Sequence, residues 1–412
     1  MTEPLDKYLD ETERCIRCGL CQKVCPIYAE MGSEPFVARG KVRLIRELIK
    51  GNVELSPRLK EILALCLDCG ACVANCPPSV HTDKLVLEAR AKITAEHGLP
   101  LPLAGALHGF LPNNSAQALV TKMAYFYQHS GFQKLLRGTG LLKALPLDLD
   151  KKEGLMPEFA PRTFRSMLGE LPLKKDGKIR VAYFLSCMTN MVKPELGQAV
   201  IKVLENHGCE VVIPAGVQCC GTPHLAYGDT KVAAQLAENN ARLLLETGAD
   251  YIISDCATCG AALKKYDKLV PGLEGFADKV RDIAEFLVNV VNLRAGEKPV
   301  DGVVTYHEPC HLGRGQGVTA APREILKAIP GLTFAEMEDA DRCCGGAGTF
   351  NVMHYDLSMK ILDRKLDSIR KVNPQMVATG CPACTMQLEH GLSRREMPIS
   401  VVHPVELLAR TY

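Results

Sequence analysis

The chain has 412 residues, 47% of them hydrophobic and 23% charged, enough apolar material for two or three packed domains. A formal net charge of +2, with Lys and Arg dispersed, excludes a long-range basic field, so nucleic-acid binding is not expected. The start, Met1-Thr2-Glu3-Pro4-Leu5-Asp6, lacks the basic and apolar runs of a secretory signal. The best apolar stretch, 99–111, is too short for a membrane span and is broken by Pro100, Pro102 and His108. A cytoplasmic chain is expected, and its nineteen cysteines read as metal-bound or redox-active thiols rather than disulfides.

The first 97 residues write one pattern twice: Cys15, Cys18, Cys21 and Cys25 before Pro26, then Cys66, Cys69, Cys72 and Cys76 before Pro77. This is the bacterial two-cluster ferredoxin spacing. Three thiolates at i, i+3 and i+6 wrap one cluster, and the fourth, before proline, reaches across to the other. Cys15, Cys18, Cys21 and Cys76 are therefore expected to hold one 4Fe-4S cluster, and Cys66, Cys69, Cys72 and Cys25 the second. Structural zinc uses paired Cys-x-x-Cys units rather than a triple run ending in Cys-Pro.

A helical or irregular connector is expected over 98–178. Between His97 and Leu147 there is no Asp or Glu, while Lys122, Lys134, Arg137 and Lys143 are spread among leucines, Tyr125-Phe126-Tyr127 and Phe132. Such a stretch suits either an amphipathic surface for a membrane or partner, or packing between domains.

From residue 179 a longer repeat appears. Its first copy carries Cys187, Cys219-Cys220-Gly221 and Cys256-x-x-Cys259; its second, Cys310, Cys343-Cys344-Gly345 and Cys381-x-x-Cys384. Cys187 to Cys310, Cys219 to Cys343 and Cys256 to Cys381 are separated by 123, 124 and 125 positions, which implies a duplicated domain, divided here into 179–297 and 298–412. In the first copy, patterning predicts strands over 178–186, 210–214 and 250–255 and helices over 194–208 and 229–247. The second follows with strands over 302–306, 332–337 and 376–379 and helices over 322–329 and 355–372. Alternating strands and helices imply two α/β units with mostly parallel sheets behind an α-helical ferredoxin-like module. Every cysteine group then falls beyond a strand's carboxyl end, where such folds gather ligands.

Adjacent cysteines normally point apart, so converging both on one object needs an irregular turn, which the following glycine permits. Soft thiolates from three loops suit a third and a fourth iron–sulfur cluster, with zinc the alternative at one of the two sites. Cys209, the remaining cysteine, reads as a small buried hydrophobe. His307 and His311 flank Cys310 and are expected as hydrogen-bond donors or helix caps around the site rather than as ligands. Gly315-Gln-Gly317-Val-Thr-Ala320, with Glu336 beyond it, formally matches a dinucleotide fingerprint but sits several residues past the strand instead of forming the strand-to-helix turn. The hydride-accepting step is therefore expected in another subunit.

A two-cluster ferredoxin module fused to two Cys-Cys-Gly domains resembles the iron–sulfur subunits of glycolate oxidase, their relatives in lactate oxidation and the catalytic subunit of heterodisulfide reductase. Ala38-Arg39-Gly40-Lys41, Tyr306-His307-Glu308-Pro309-Cys310-His311-Leu312 and Cys343-Cys344-Gly345-Gly346-Ala347-Gly348 look most like the glycolate and lactate branch. The resemblance implies an electron-transfer subunit of a glycolate or lactate dehydrogenase, with an FAD-containing partner and a quinone or another carrier as acceptor. It allows peripheral contact with the cytoplasmic membrane face, and non-cubane 4Fe-4S clusters in the five-cysteine sets. The intact pairs Cys256/Cys259 and Cys381/Cys384 resemble heterodisulfide reductases, which makes thiol–disulfide chemistry the alternative.

Overall fold

A computed structural model describes residues 5–140 and 149–412. In the amino-terminal module the helices Ala38–Ile49, Pro57–Ala64 and Thr82–His97 close on Tyr8, Val42, Ile45, Leu63, Leu85 and Val86. Each such fully buried side chain contributes about 1.5–3 kcal/mol. The cysteine loops are suspended between these helices.

Each repeat is a four-stranded parallel sheet. The first comprises β1 (Ile179–Tyr183), β2 (Cys209–Val212), β3 (Tyr251–Ser254) and β4 (Val280–Asp282), in the order β2-β1-β3-β4. The second comprises β5 (Gly302–Tyr306), β6 (Leu332–Phe334), β7 (Met376–Ala378) and β8 (Ser400–Val402), in the identical order β6-β5-β7-β8. Their central strands are buried, as parallel sheets covered by helices require. Of the six strands expected from patterning, all but β5 end earlier than expected, β1 and β6 by three residues each. β1 stops at Tyr183 because Ser186 caps the helix Cys187–Met191, its Oγ accepting from Thr189 N–H at 3.0 Å, and β6 spans three residues only. The edge strands β4 and β8, each three residues long, have no counterpart among the sequence-based expectations.

The repeats share one core. Val181 and Ile253 of the first sheet and Val304 and Val377 of the second belong to the same buried cluster, joined by Phe286, Leu326 and Leu408. The ferredoxin-type module is seated on the second repeat, where Ile27, Phe36, Leu65 and Leu67 pack with Cys343, Phe350 and Ile361.

The connector lies on the first repeat. Helix Asn114–His129 buries Gln117 and Thr121; Asn114 donates to Val217 O (3.1 Å) and Gln218 donates to Pro112 O (2.7 Å). Its other face leaves Leu119, Met123 and Phe126 60%, 63% and 70% exposed, followed by exposed Phe132 and Leu135. The expectation of four uncompensated cations needs correction. Arg137 pairs with Glu153 at 2.8 Å, an acid supplied from beyond the acid-free stretch, which also receives Tyr127 and Gln133. Lys143 lies outside the described residues.

Candidate metal centres

In each ferredoxin-type loop two residues take left-handed backbone conformations at matching places: Arg17 (φ 58°) and Gly19 (φ 85°), then Asp68 (φ 51°) and Gly70 (φ 69°). These reversals curl the chain so that thiols at i, i+3 and i+6 face one space. One cavity is lined by Cys15, Cys18, Cys21 and Cys76, with Cys72 at its margin; a second is lined by Cys25, Cys66, Cys69 and Cys72. The cysteine before each proline thus stands with the opposite loop. Backbone N–H groups already point at these sulfurs, from Tyr28 to Cys25 (3.5 Å) and from Val80 to Cys76 (3.4 Å).

The helix Ala38–Ile49 runs beside both cavities, which accounts for the Ala-Arg-Gly-Lys sequence at its start. Arg39 donates to Arg17 O (3.1 Å) in the first loop and grips Glu34. Gly40 lets the helix touch the chain below, since a Cβ there would stand 2.0 Å from Glu34 O. Lys41 is buried, hydrogen-bonded to Phe36 O, with its ammonium acting on the Cys25 thiol. A buried cation there offsets the negative charge that clustered thiolates bring.

In the repeats, Gly221 (φ 87°) and Gly345 (φ 84°) close the Cys-Cys-Gly turns, and a Cβ on Gly345 would meet Ser358 O at 2.8 Å. The turns bring the cysteines into one series. In the first repeat Cys219, Cys220, Cys259 and Cys256 interact in series; in the second, Cys381, Cys384, Cys344, Cys343 and Cys310 do so. Cys256 and Cys381 join the two sets across the repeat interface. Cys187, pushed by burial up to about 12, interacts with Cys220. Hydrogen bonds from Cys310 and Cys344 hold Cys343 well below the usual thiol range; those from Cys256 and Cys384 do so for Cys381, and those from Cys219 and Cys259 for Cys220.

All nineteen cysteines are free thiols. Ten converging, mostly buried sulfurs cannot all ionise without a cation, and a soft metal group fits this donor set in charge and chemistry. Cys209 opens β2 at 1% exposure within the shared core, away from this series.

The ferredoxin-type sites connect to the second repeat. Cys69 interacts with both Cys343 and Cys310. Arg314 holds the join, donating to Cys69 O at 3.3 Å and to the Asp341 carboxylate at 2.6 Å. Arg90 spans Leu63, Cys66 and Ala226 carbonyls, tying the second loop to the first repeat. His311 stands 3.3 Å from Thr258 Oγ1 through Nδ1 and 3.9 Å from Asp68 through Nε2, and Thr258 lies 3.5 Å from Cys381 Sγ. Burial pulls His311 down, but Asp68 more than offsets it.

His311 therefore braces the site as expected. His307 does not: among the described residues neither of its ring nitrogens has a hydrogen-bond partner, at 1% exposure. Burial, aided by Lys365, depresses its pKa to about 3. Gly315 lies inside the helix Cys310–Gln316 and Gly317 ends it, while Glu336 is taken by Arg323 at 2.6 Å, so this segment forms no strand-to-helix turn.

Several supporting residues carry no sequence motif. Asp255 is fully buried beside Cys256, pushed up to about 6 by burial, and accepts from Thr189 Oγ1 at 2.5 Å. Lys365 is fully buried, lowered to about 8 by burial, and faces Cys344 and Cys343. A lysine amid the apolar positions of a helix was the available signal, though on its own it reads as a solvated face.

Comparison with known proteins agrees with this anatomy. Residues 11–80 match the 4Fe-4S dicluster domain, 104–156 the glycolate oxidase iron-sulfur subunit linker region, and 181–264 and 304–389 the cysteine-rich domain. The chain is 33% identical to the probable glycolate oxidase iron-sulfur subunit of Bacillus subtilis, covering 97% of this chain and 94% of that one. It is 31% identical to one of the subunits of the fumarate reductase (CoM/CoB) of Methanothermobacter marburgensis, covering 97% and 72%. It is 27% identical to one of the subunits of the dihydromethanophenazine:CoB–CoM heterodisulfide reductase of Methanosarcina barkeri, covering 97% and 94%. No described helix is long and apolar enough to cross a membrane. With its dicluster module, linker and paired cysteine-rich domains, the chain belongs to the family of glycolate oxidase iron–sulfur subunits and their lactate-oxidation and heterodisulfide reductase-like relatives, as an iron–sulfur electron-transfer subunit.

Proposed function

We propose that the chain carries electrons for a 2-hydroxy-acid dehydrogenase acting on glycolate, or on lactate. It takes them from an FAD-containing partner subunit and delivers them to a quinone or another carrier at the cytoplasmic face of the membrane. The observation that supports this reading is the series of interacting thiols from the ferredoxin-type cavities through Cys69 and Cys343 to Cys381, Cys256 and Cys220.

We assign Cys15, Cys18, Cys21 and Cys76 to one cubane and Cys66, Cys69, Cys72 and Cys25 to the next. Cys187, Cys219, Cys220, Cys256 and Cys259 form the third site, and Cys310, Cys343, Cys344, Cys381 and Cys384 the fourth. Iron–sulfur clusters bound there supply one-electron steps. The chain's own residues hold the sites in order: Arg314 and Arg90 fix the module against the repeats, and Lys41 and Lys365 place positive charge beside Cys25 and Cys344.

The test is reconstitution under anaerobic conditions. The isolated chain is expected to reduce no dye with glycolate or lactate, and to support quinone or dye reduction once the copurifying flavoprotein is added. Hydroxy-acid oxidation by the isolated chain would refute the assignment. The intact five-cysteine sets, with the Cys256–Cys381 contact between them, favour disulfide reduction as the second reading. That reading requires turnover of a disulfide by this chain with a reduced donor and no response to hydroxy acids.

A further inference from the structure

His307 and Phe184 occupy the same place in the two repeats. Phe184 follows β1 and donates its N–H to Ile253 O at 2.8 Å; His307 follows β5 and donates its N–H to Ala378 O at 2.9 Å. Both side chains are 1% exposed. A phenyl ring needs no partner there, whereas an imidazole sealed from water does. The Ala340 carbonyl beside His307 is engaged by Glu308 N–H (3.0 Å) and the Lys365 ammonium (3.2 Å). What His307 meets instead is sulfur: a ring nitrogen, Cys344 Sγ and Cys384 Sγ all lie within 4.8 Å of one another. Donors at 2.0–2.3 Å from one metal stand up to about 4 Å apart, so this triad needs little movement to share one.

We propose that His307 is a nitrogen ligand to iron in the cluster of the second repeat, a sixth donor beside Cys310, Cys343, Cys344, Cys381 and Cys384, with no counterpart in the first repeat. This rests on the reading that the second repeat holds an iron–sulfur cluster. The nearby histidines are already occupied: His403 accepts from Val405 N–H (3.1 Å) and reaches Asp255 O (3.1 Å), and His311 is held between Thr258 and Asp68. A neutral imidazole added beside five thiolates leaves the net charge of the cluster unchanged, so the mark of His307 is its nitrogen rather than a charge. The charge difference between the repeats comes from Lys365, which faces Cys344 and Cys343, where the first repeat sets the uncharged Asn240 amide against its turn, donating to Cys219 O at 3.0 Å. The duplicated sites are thereby made unequal, the second being the more oxidising.

The full chain, isolated anaerobically with normal or 15N-histidine and poised to make the repeat clusters paramagnetic, is examined by pulsed EPR for histidine nitrogen coupling. The expected result is a directly coordinated nitrogen that shifts with the isotope and is lost in His307→Phe, the residue the first repeat carries. Iron content should be unchanged. His307→Cys, which restores a donor, guards against a folding failure by retaining iron without the nitrogen signal. A paramagnetic repeat cluster with no histidine coupling overturns the ligation and leaves the cluster reading standing. Iron confined to the ferredoxin-type module overturns both.

Discussion

Cys256 and Cys381 interact across the interface between the repeats, and their loops are joined by Ala257 N–H donating to Gly380 O at 2.9 Å. Each opens the Cys-x-x-Cys of its own repeat, so the two candidate sites touch through equivalent residues. Clusters held on these sets are expected to be magnetically coupled, with split or fast-relaxing EPR signals when both are paramagnetic. Cys256→Ser should weaken the coupling and disturb the first repeat's signal more than the second's. Independent, additive signals from the two repeats would contradict the shared edge.

Arg314 is expected to keep the ferredoxin-type module in electronic contact with the second repeat. Arg314→Met removes the bonds to Cys69 O and Asp341 while sparing every thiol. The loss should cost about 1–3 kcal/mol of stability. Transfer between module and repeats should slow by about an order of magnitude or more at unchanged iron content, since small displacements of positioned groups carry penalties of that size. Rapid-freeze EPR after reduction of the module measures it; an unchanged rate would remove Arg314 from the path.

Asp282 gives a pH dependence of known sign. It is 2% exposed and caps the helix Ile283–Asn289, accepting from Ala284 N–H at 2.9 Å. Burial pushes its carboxyl from 3.8 up to about 7. The folded chain therefore keeps a proton that the unfolded chain releases, and this group's contribution to stability falls as pH rises from about 4 to about 7. The shift corresponds to at most about 4 kcal/mol. Asp282→Asn keeps the cap and removes the charge, so the variant should gain on the wild type as pH rises across that window. Denaturation midpoints of both holoproteins at about pH 5 and pH 8 check it, and a constant difference would contradict it.

The exposed face of the connector is expected to dock on the flavoprotein or on an anionic membrane. Lys122 and Lys134 lie among Leu119, Met123, Phe126, Phe132 and Leu135, and attraction by these lysines should weaken with salt. Lys122→Glu with Lys134→Glu should lower association while iron content is unchanged; Arg137 is left alone because it serves Glu153. Cosedimentation with anionic vesicles and with the flavoprotein distinguishes the two surfaces. Unchanged association with both would place the interface elsewhere.

The repeat was legible because thiol spacing and helical periodicity survive in one dimension. Helix Tyr355–Val372 was readable to both ends, and the structure shows Asn373 closing it at φ 51°. β4 and β8 were not: they are as short as β6 and β7, but no cysteine group follows them to mark where a strand ends. The cysteines themselves were identifiable, but not their order, since Cys69 meets Cys343 and Cys256 meets Cys381 only once the domains pack. His307 looked like a supporting donor because sequence places it near Cys310; only the structure shows both ring nitrogens buried without a hydrogen-bond partner among the described residues.

The most direct test of the electron-transfer role mixes the anaerobic complex of this chain and its flavoprotein with glycolate in a stopped-flow spectrometer and follows the iron–sulfur absorbance of this chain. Bleaching at a rate matching turnover of the complex, with none when the isolated chain meets glycolate or lactate, is the expected result. Bleaching of the isolated chain by a hydroxy acid, or a complex silent to hydroxy acids whose reduced chain is reoxidised by a disulfide, would contradict it.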